Sequence, residues 1–438
     1  MRLSQLFTKT SKQSSTDAES KNADLLTRAG YIHKTMAGVY SYLPLGLRVL
    51  RNIENVVREE MNAMGAQELL LSALSSREAW QRSGRWDSFD VLFHVPGAGD
   101  QEYALNPTHE EIIVPLVQHF VHSYKDLPFS CYQIQMKFRN ELRAKSGVLR
   151  NREFLMKDLY SFHRDDAFLD RYYERVQRAY TKVFERLGLA ERTYLTFASG
   201  GSFSPYSHEY QVLLPHGEDT IYVSEAAEAR GERIAINQEI YRKGETTCPV
   251  TGETAFREER ASEAANIFKL GTKFSIPFAL QYTDEDGKSH PVVMGCYGIG
   301  ISRLMGIITE AFADESGLRW PFSLAPASVH IVSLARERGE QAYTEAEALE
   351  AHLGKRGIPT LFDDRIDLST GSRLADADLL GMPFRVVLSP KTCARGQLEV
   401  KDRMTGEVSW MSEEELFRRC SPVVAKKGRG RGGEAAVS

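Results

Sequence analysis

The sequence predicts a multidomain chain of mixed α/β and α+β class, in which a domain built on an antiparallel sheet precedes a small α/β domain. Three observations carry this. Residues 132–139 alternate apolar and polar without a break and, after a turn containing Gly147, residues 150–158 alternate again, the pattern of an antiparallel hairpin. Two long stretches, 47–64 and 166–187, instead carry apolar residues at helical spacing. Beyond Pro326, short strands alternate with helical segments. With 438 residues, 42% of them hydrophobic, the chain can bury two or three such cores.

Taken in order, the first helix places Leu47, Leu50, Ile53, Val56, Val57, Met61 and Met64 on one side, with Gly65 as its stop. In the hairpin, Tyr132, Ile134, Met136 and Phe138 share one face, while Arg139 and Glu141 share the other. Arg150, Arg152, Phe154 and Asp158 also share a side, so the hairpin displays cations, an acid and an aromatic ring together. The second helix groups Leu169, Tyr172, Tyr173, Val176, Tyr180, Val183 and Phe184. Between His208 and Cys296 the chain turns polar and irregular, and 220–265 reads as a short connector. Within it, Cys248-Pro249-Val250-Thr251-Gly252 looks like a zinc knuckle reduced to one cysteine, and one thiolate cannot hold zinc. Gly298-x-Gly300 then leads into residues 301–312, of helical spacing, with Arg303 in the first turn. In the last domain, 329–334, 359–362 and 384–388 read as strands, and 337–356 and 373–380 as helices. The expected divisions are an antiparallel-sheet domain in two parts, 1–219 and 266–325, a terminal α/β domain over 326–422, and a disordered tail rich in Gly, Lys and Arg over 423–438.

A net charge of −4 argues against indiscriminate nucleic-acid binding but permits a local basic face. The five cysteines form neither metal nor disulfide spacing, and no apolar run is long enough to span a bilayer, which makes a cytoplasmic protein the economical reading. A transit peptide is the other reading of residues 8–21, but that stretch carries acids.

The hairpin face suits a nucleotide triphosphate. Guanidinium groups hold phosphate oxygens through charge-assisted bonds, Phe154 offers a stacking face, and Glu141 can accept from an exocyclic amine. Arg303 adds a cation where a helix N-terminus already favours phosphate. A solvated edge hairpin is the bland alternative. The arrangement resembles motif 2 of class II aminoacyl-tRNA synthetases, R-x-E followed after a loop by a basic residue four before a Phe: Arg139-Asn140-Glu141, then Arg150 and Phe154. Motif 3, G-x-G-x-x-R, is matched by Gly298, Gly300 and Arg303. Arg28-Ala29-Gly30, Gly38 to Gly46, Pro107-Thr108-His109-Glu110-Glu111, Arg152 to Asp158, Ser207-His208-Glu209 and Gly295-Cys296-Tyr297-Gly298 narrow the resemblance to the prolyl-tRNA synthetases.

That resemblance implies an antiparallel-sheet catalytic domain, an anticodon-binding domain, ATP and Mg2+ as cofactor and ion, and proline and tRNA(Pro) as partners. Arg139 is implied to bridge the proline carboxylate and the α-phosphate. Arg303 and Arg150 would hold the γ-phosphate, Phe154 and Arg303 would sandwich adenine, and Glu141, Asp158, Gly298 and Gly300 would complete the ATP site. Thr108 and Glu110 would serve the proline amine, with His208 closing the pocket and Cys296 near the ring. Arg143 would meet the tRNA acceptor end, and Asp364, Arg365 and Asp376 mark the anticodon domain. The long first helix and the strand after it imply a homodimer seam. Three stretches depart from the family pattern: Ser72 replaces a proline, Ala264-Ala265 replaces Val-Gly, and 200–206 is less glycine-rich. There is no room for the hydrolytic insertion of the longer bacterial enzymes. A threonyl-like synthetase and an inactive synthetase paralogue that binds tRNA are the alternatives.

Overall fold

The computed structural model describes residues 1–14, 20–142, 144, 146–201, 203 and 206–428. It divides into two compact units, residues 35–40 with 53–307, and residues 1–34 with 41–52 and 308–438. No helix among the described residues is long and apolar enough to cross a membrane.

The larger unit is organised by one sheet, nine-stranded among the described residues: β1 (Gln67–Glu68), β2 (Phe129–Phe138), β3 (Glu153–His163), β4 (Thr193–Ser199), β5 (Tyr206–Leu213), β6 (Asp219–Ser224), β7 (Ile234–Asn237), β8 (Phe256–Gly271) and β9 (Val293–Gly300). The order is β5-β4-β7-β6-β8-β9-β3-β2-β1, and β5 also pairs with β8, so β4 to β8 close into a ring around Tyr194, Ile221, Val223, Ala235 and Ala261. The expected hairpin is β2 with β3, in antiparallel register that sets Gln133 opposite Asp158 and Lys137 opposite Phe154. Side chains alternate across a strand, so this register puts Gln133, Lys137, Phe154 and Asp158 on one face. The other face is covered by helix Asp166–Arg186, capped by the Asp165 side chain, which buries Leu169, Tyr173, Val176, Tyr180, Val183 and Phe184 much as its spacing predicts. The first helix spans Pro44–Ala63, and Gly65 ends it with φ +75, a left-handed conformation that glycine adopts freely.

Residues 220–265 are not a connector. They supply β6, β7 and most of β8, which lie inside the sheet. Their polar composition misleads because the charged side chains pair with one another: Arg257 with Glu228 of the short helix Glu225–Ala229 at 2.9 Å and with Glu259 of its own strand at 2.7 Å. Ala261, Ala264 and Ala265 are buried between these charges. The Cys248 turn lies between β7 and β8 and packs its thiol against Ala227 and Ile234.

The second unit carries a five-stranded sheet in the order Thr360–Asp363, Val329–Ser333, Phe384–Leu388, Leu398–Asp402, Val408–Met411. The first three strands run parallel, as the alternation of strands and helices predicts; the last two are an antiparallel addition that the sequence reading did not contain. The domain also takes the start of the chain, which was expected to lie wholly in the catalytic domain. Arg2 pairs with Glu347 and Glu350, both at 2.9 Å, and bridges to Phe362, while the Ser4 hydroxyl donates to Asp364 at 2.6 Å. Helix Glu413–Gly428 runs into the stretch expected to be a disordered tail, its first turn stabilised by Glu413, Glu414 and Glu415 at the positive helix end. The rest of that tail, from 429, lies outside the described residues.

Candidate active site

One cavity opens on the face of the sheet opposite helix Asp166–Arg186, and Thr108, Arg139, Glu141, Arg150, Phe154, Asp158, Cys296, Gly298, Gly300 and Arg303 all line it. The strand register explains the grouping. Asn266 stands opposite Gly298, Phe268 opposite Cys296, and Gly298 opposite Asp158, so alternate residues of β8, β9 and β3 form the floor. A methyl at Gly298 would project into the cavity with nothing nearer than the Met156 sulfur at 3.7 Å. The glycine therefore leaves room for a ligand rather than for packing.

One end of the cavity is cationic. The Arg139 guanidinium lies 5.2 Å from the Phe154 ring centre and has no carboxylate at ion-pair distance among the described residues; its Nε has no hydrogen-bond partner. Withdrawal from water, and then the neighbouring Arg303, push its pKa down. Arg303 donates to the Leu149 carbonyl at 2.8 Å and pairs with Glu263 at 3.0 Å. Two guanidiniums close enough to repel, one of them without a counter-ion, call for an anion. Arg150 and Glu141, expected to contact ATP separately, are joined to each other at 2.9 Å.

The other end is acidic. Thr108 donates to Glu110 at 2.5 Å, and Glu110 is fully buried with its Oε1 free of partners among the described residues. Cys296 lies beside it; burial, and then Glu110, hold that thiol well above its ordinary range. Asp158 lines the cavity at this end. Its carboxylate is engaged by Lys137 at 2.7 Å, Gln133 at 2.9 Å and the Tyr160 hydroxyl at 3.0 Å. Burial works upward on Asp158, but Lys137, His109 and the Gln133 hydrogen bond together outweigh it and keep the acid below the usual carboxylate range.

His208 is not in the pocket. On β5 it points to the far face, where its Nδ1 meets the Tyr173 hydroxyl at 2.7 Å and its ring lies edge-on to Phe197. Burial, and then Lys269, push it down to about 4, so it is neutral. Its neighbour Glu209 faces the cavity side instead, meeting Asn266, Asn237 and Gln211. Burial, followed by Glu263, raises Glu209 to about 8. Arg143 lies outside the described residues. Asp364, Arg365 and Asp376 are taken up internally: Asp364 by Ser4, Asp376 by Thr10 at 2.8 Å, and Arg365 by Asp363 and Asp376 at 2.7 and 2.9 Å.

Several pocket residues went unread in the sequence. Glu263 and Asn266 line the cationic end, and the Asn266 Oδ1 is buried without a partner among the described residues. Their E-x-x-N spacing on a strand next to the G-x-G turn was the available signal. These hard oxygen donors fit a magnesium ion that also takes phosphate oxygens. Lys137 and Arg85 were missed because buried cations are rare.

Comparison with known proteins agrees with this geometry. The family described as tRNA synthetase class II core domain (G, H, P, S and T) matches residues 93–312, and that described as anticodon binding domain matches 328–421. A proline–tRNA ligase of Anaplasma phagocytophilum (strain HZ) is 39% identical over 432 residues, covering 96% of this chain and 100% of its own. One from Geobacillus sp. (strain WCH70) is 33% identical, covering 95% and 98%, and its alignment runs over 562 positions, more than this chain contains. The crystal structure of prolyl-tRNA synthetase from Cryptosporidium parvum complexed with L-proline and AMP has the same fold, with TM-score 0.75 at 18% identity, over 95% of this chain and 78% of that one.

Proposed function

Because the chain belongs to the prolyl-tRNA synthetases of class II and is a proline–tRNA ligase, we propose that the two-ended cavity is where proline is activated by ATP and passed to tRNA(Pro). The observation that carries this is an unneutralised guanidinium, Arg139, on the cavity wall, with a carboxylate oxygen of Glu110, unpartnered among the described residues, behind the Thr108 and Cys296 lining of the same cavity. A zwitterionic amino acid complements both.

In the first step the proline carboxylate attacks the α-phosphorus and pyrophosphate leaves. The nucleophile is already ionised, so no general base is needed. The barrier is set by bringing anions together, and fixed positive charge lowers it. Arg139 bridges the carboxylate and the α-phosphate, while Arg303 and Arg150 take the outer phosphates. For that, Arg150 leaves Glu141, freeing the acid to accept from the adenine amine. Phe154 stacks on the base, and Gly298 gives it space. Glu263 and Asn266 would hold magnesium, which supplies further neutralisation of phosphate charge when bound. Thr108 and Glu110 receive the secondary ammonium, with Phe268, Phe203 and Cys296 around the ring. In the second step a ribose hydroxyl of the terminal adenosine attacks the prolyl-adenylate.

Lys391 and Arg395 flank Trp410 at 5.3 and 4.3 Å in the matched anticodon domain, an exposed cation and aromatic cluster suited to RNA. A homodimer fits the apolar face where Leu70 and Phe120 are 75% and 71% exposed, beside the sheet-edge strand β1. Five unpaired cysteines support a cytoplasmic setting. Every element between His208 and Cys296 is a strand, a short helix or a turn of the catalytic unit, which supports an enzyme that activates some alanine and does not itself hydrolyse alanyl-tRNA(Pro). The test is pyrophosphate exchange across proline, alanine and threonine, followed by incubation with preformed alanyl-tRNA(Pro). Proline should dominate exchange, alanine should be weak but measurable, and the mischarged tRNA should persist. Threonine-led exchange would support the threonyl alternative, and no exchange would support the inactive one.

A further inference from the structure

We infer that Arg85 is a positioning residue for amino-acid selection, tying the acid that receives the substrate amine to the aromatic wall that receives its side chain. The inference rests on the reading of the cavity as the proline site. Arg85 follows the short helix Arg77–Arg82 and its side chain is only 7% exposed. Its guanidinium lies 4.4 Å from the ring centre of Phe89, 4.9 Å from Phe203, and 5.3 Å from both Trp80 and Phe274. In the plane of the group, Nη1 reaches Glu111 at 2.9 Å and Glu110 at 3.5 Å, while Nε and Nη2 have no partner among the described residues.

The acids explain the first half of the role. Glu110 and Glu111 are adjacent and buried in the first turn of helix Glu110–Gln118, and Glu111 is also held by the Ser83 hydroxyl at 2.7 Å. One guanidinium shared by two carboxylates leaves negative charge on the more distant one, Glu110. Its Oε1 has no partner, and a substrate ammonium completes the neutralisation. The rings explain the second half. Phe203 lines the cavity and packs on Phe268 at 4.8 Å, and Phe268 stands opposite Cys296 in the strand register. Cation–π attraction draws Phe203 onto the same guanidinium that sets Glu110. A displacement of Arg85 therefore moves both the amine acceptor and the ring wall, and leaves the phosphate end alone.

The experiment is pyrophosphate exchange by the full chain with proline and alanine, for the wild type, Phe203→Leu, Phe203→Tyr, Arg85→Met and the Phe203→Leu/Arg85→Met pair. Phe203→Leu should raise the proline KM about tenfold with the ATP KM held, and narrow the preference for proline over alanine. Phe203→Tyr, which keeps a ring over the cation, should lose less. In the Arg85→Met background, Phe203→Leu should add no more than about twofold, because the contact is already gone. Equal losses for Leu and Tyr, or fully multiplicative effects in the pair, would overturn the inference. If Arg85→Met does not fold, the Leu and Tyr comparison decides alone. A wild type that exchanges with no proline would instead overturn the functional reading beneath it.

Discussion

Replacing Arg139 by alanine should abolish proline-dependent pyrophosphate exchange while leaving the fold nearly as stable as before. The two effects separate because of what Arg139 touches. In the protein alone its guanidinium has the Phe154 ring at 5.2 Å, a contact worth ~0.5–1 kcal/mol at a partly exposed site. It has no ion pair among the described residues and is repelled by Arg303, so its removal also relieves some repulsion, which works against the lost contact. The net change in stability should lie within about 1 kcal/mol. In the transition state the same group makes charge-assisted hydrogen bonds to the carboxylate and the α-phosphate, each worth ~1.5–3 kcal/mol. Their loss costs at least ~3 kcal/mol, a rate decrease of ~100-fold or more. The assay is exchange at saturating ATP and proline, paired with thermal unfolding by circular dichroism. Exchange within tenfold of wild type would refute the bridging role. Lost activity with a Tm lowered by more than ~5 °C would show a structural residue instead.

Gly298→Ala should melt like wild type, since its methyl meets nothing closer than 3.7 Å, yet raise the ATP KM about tenfold by filling the space for the base; equal ATP affinity by titration would contradict this. Lys137→Met strands Asp158 without its cation and should cost ~3–5 kcal/mol by urea denaturation, with Asp158→Asn in the same chain recovering much of the loss. Glu209 has a folded pKa near 8, above its unfolded value. Its contribution to stability is therefore fully present below the unfolded carboxylate pKa and is lost as pH rises through about 8. Glu209→Gln should accordingly flatten the pH dependence of unfolding between those limits, and an unchanged slope would count against the raised value. Charge reversal at Lys391 and Arg395 together should weaken tRNA charging several-fold at unchanged proline exchange, measured by aminoacylation KM.

The hairpin was legible because period-2 alternation over 132–139 has no helical counterpart, and Arg139, Phe154 and Arg303 were legible through motifs whose spacing a fold must honour. Other features depend on contacts that a linear reading does not contain. His208 sits within a motif match, but a match does not say which side of a strand a residue faces. Alternation with Ser207 and Glu209 decides it, and sends the imidazole to Tyr173. Lys137 reads as a solvated position until Asp158, on the paired strand, is seen to bury with it. Strand β8 was lost in a run of charges because arginine and glutamate in one stretch resemble a linker unless their partners, Glu228 of a short helix and Glu259 two residues on, are known. Arg85 shows the same dependence, since its surrounding rings come from four separate places in the sequence.

The opening residues of the chain have a consequence for its birth on the ribosome. Ser4 is bonded to Asp364, 360 positions downstream, and Arg2 to Glu350, 348 positions downstream. At ~5–20 residues per second, residues 2 and 4 are made roughly 20 to 70 s before their partners are even synthesised. Through that interval they lack these partners, while the nine-stranded sheet, whose last strand ends at Gly300, can already form. Capture of residues 2 and 4 thus waits on a domain whose elements follow those of the nine-stranded sheet in the sequence.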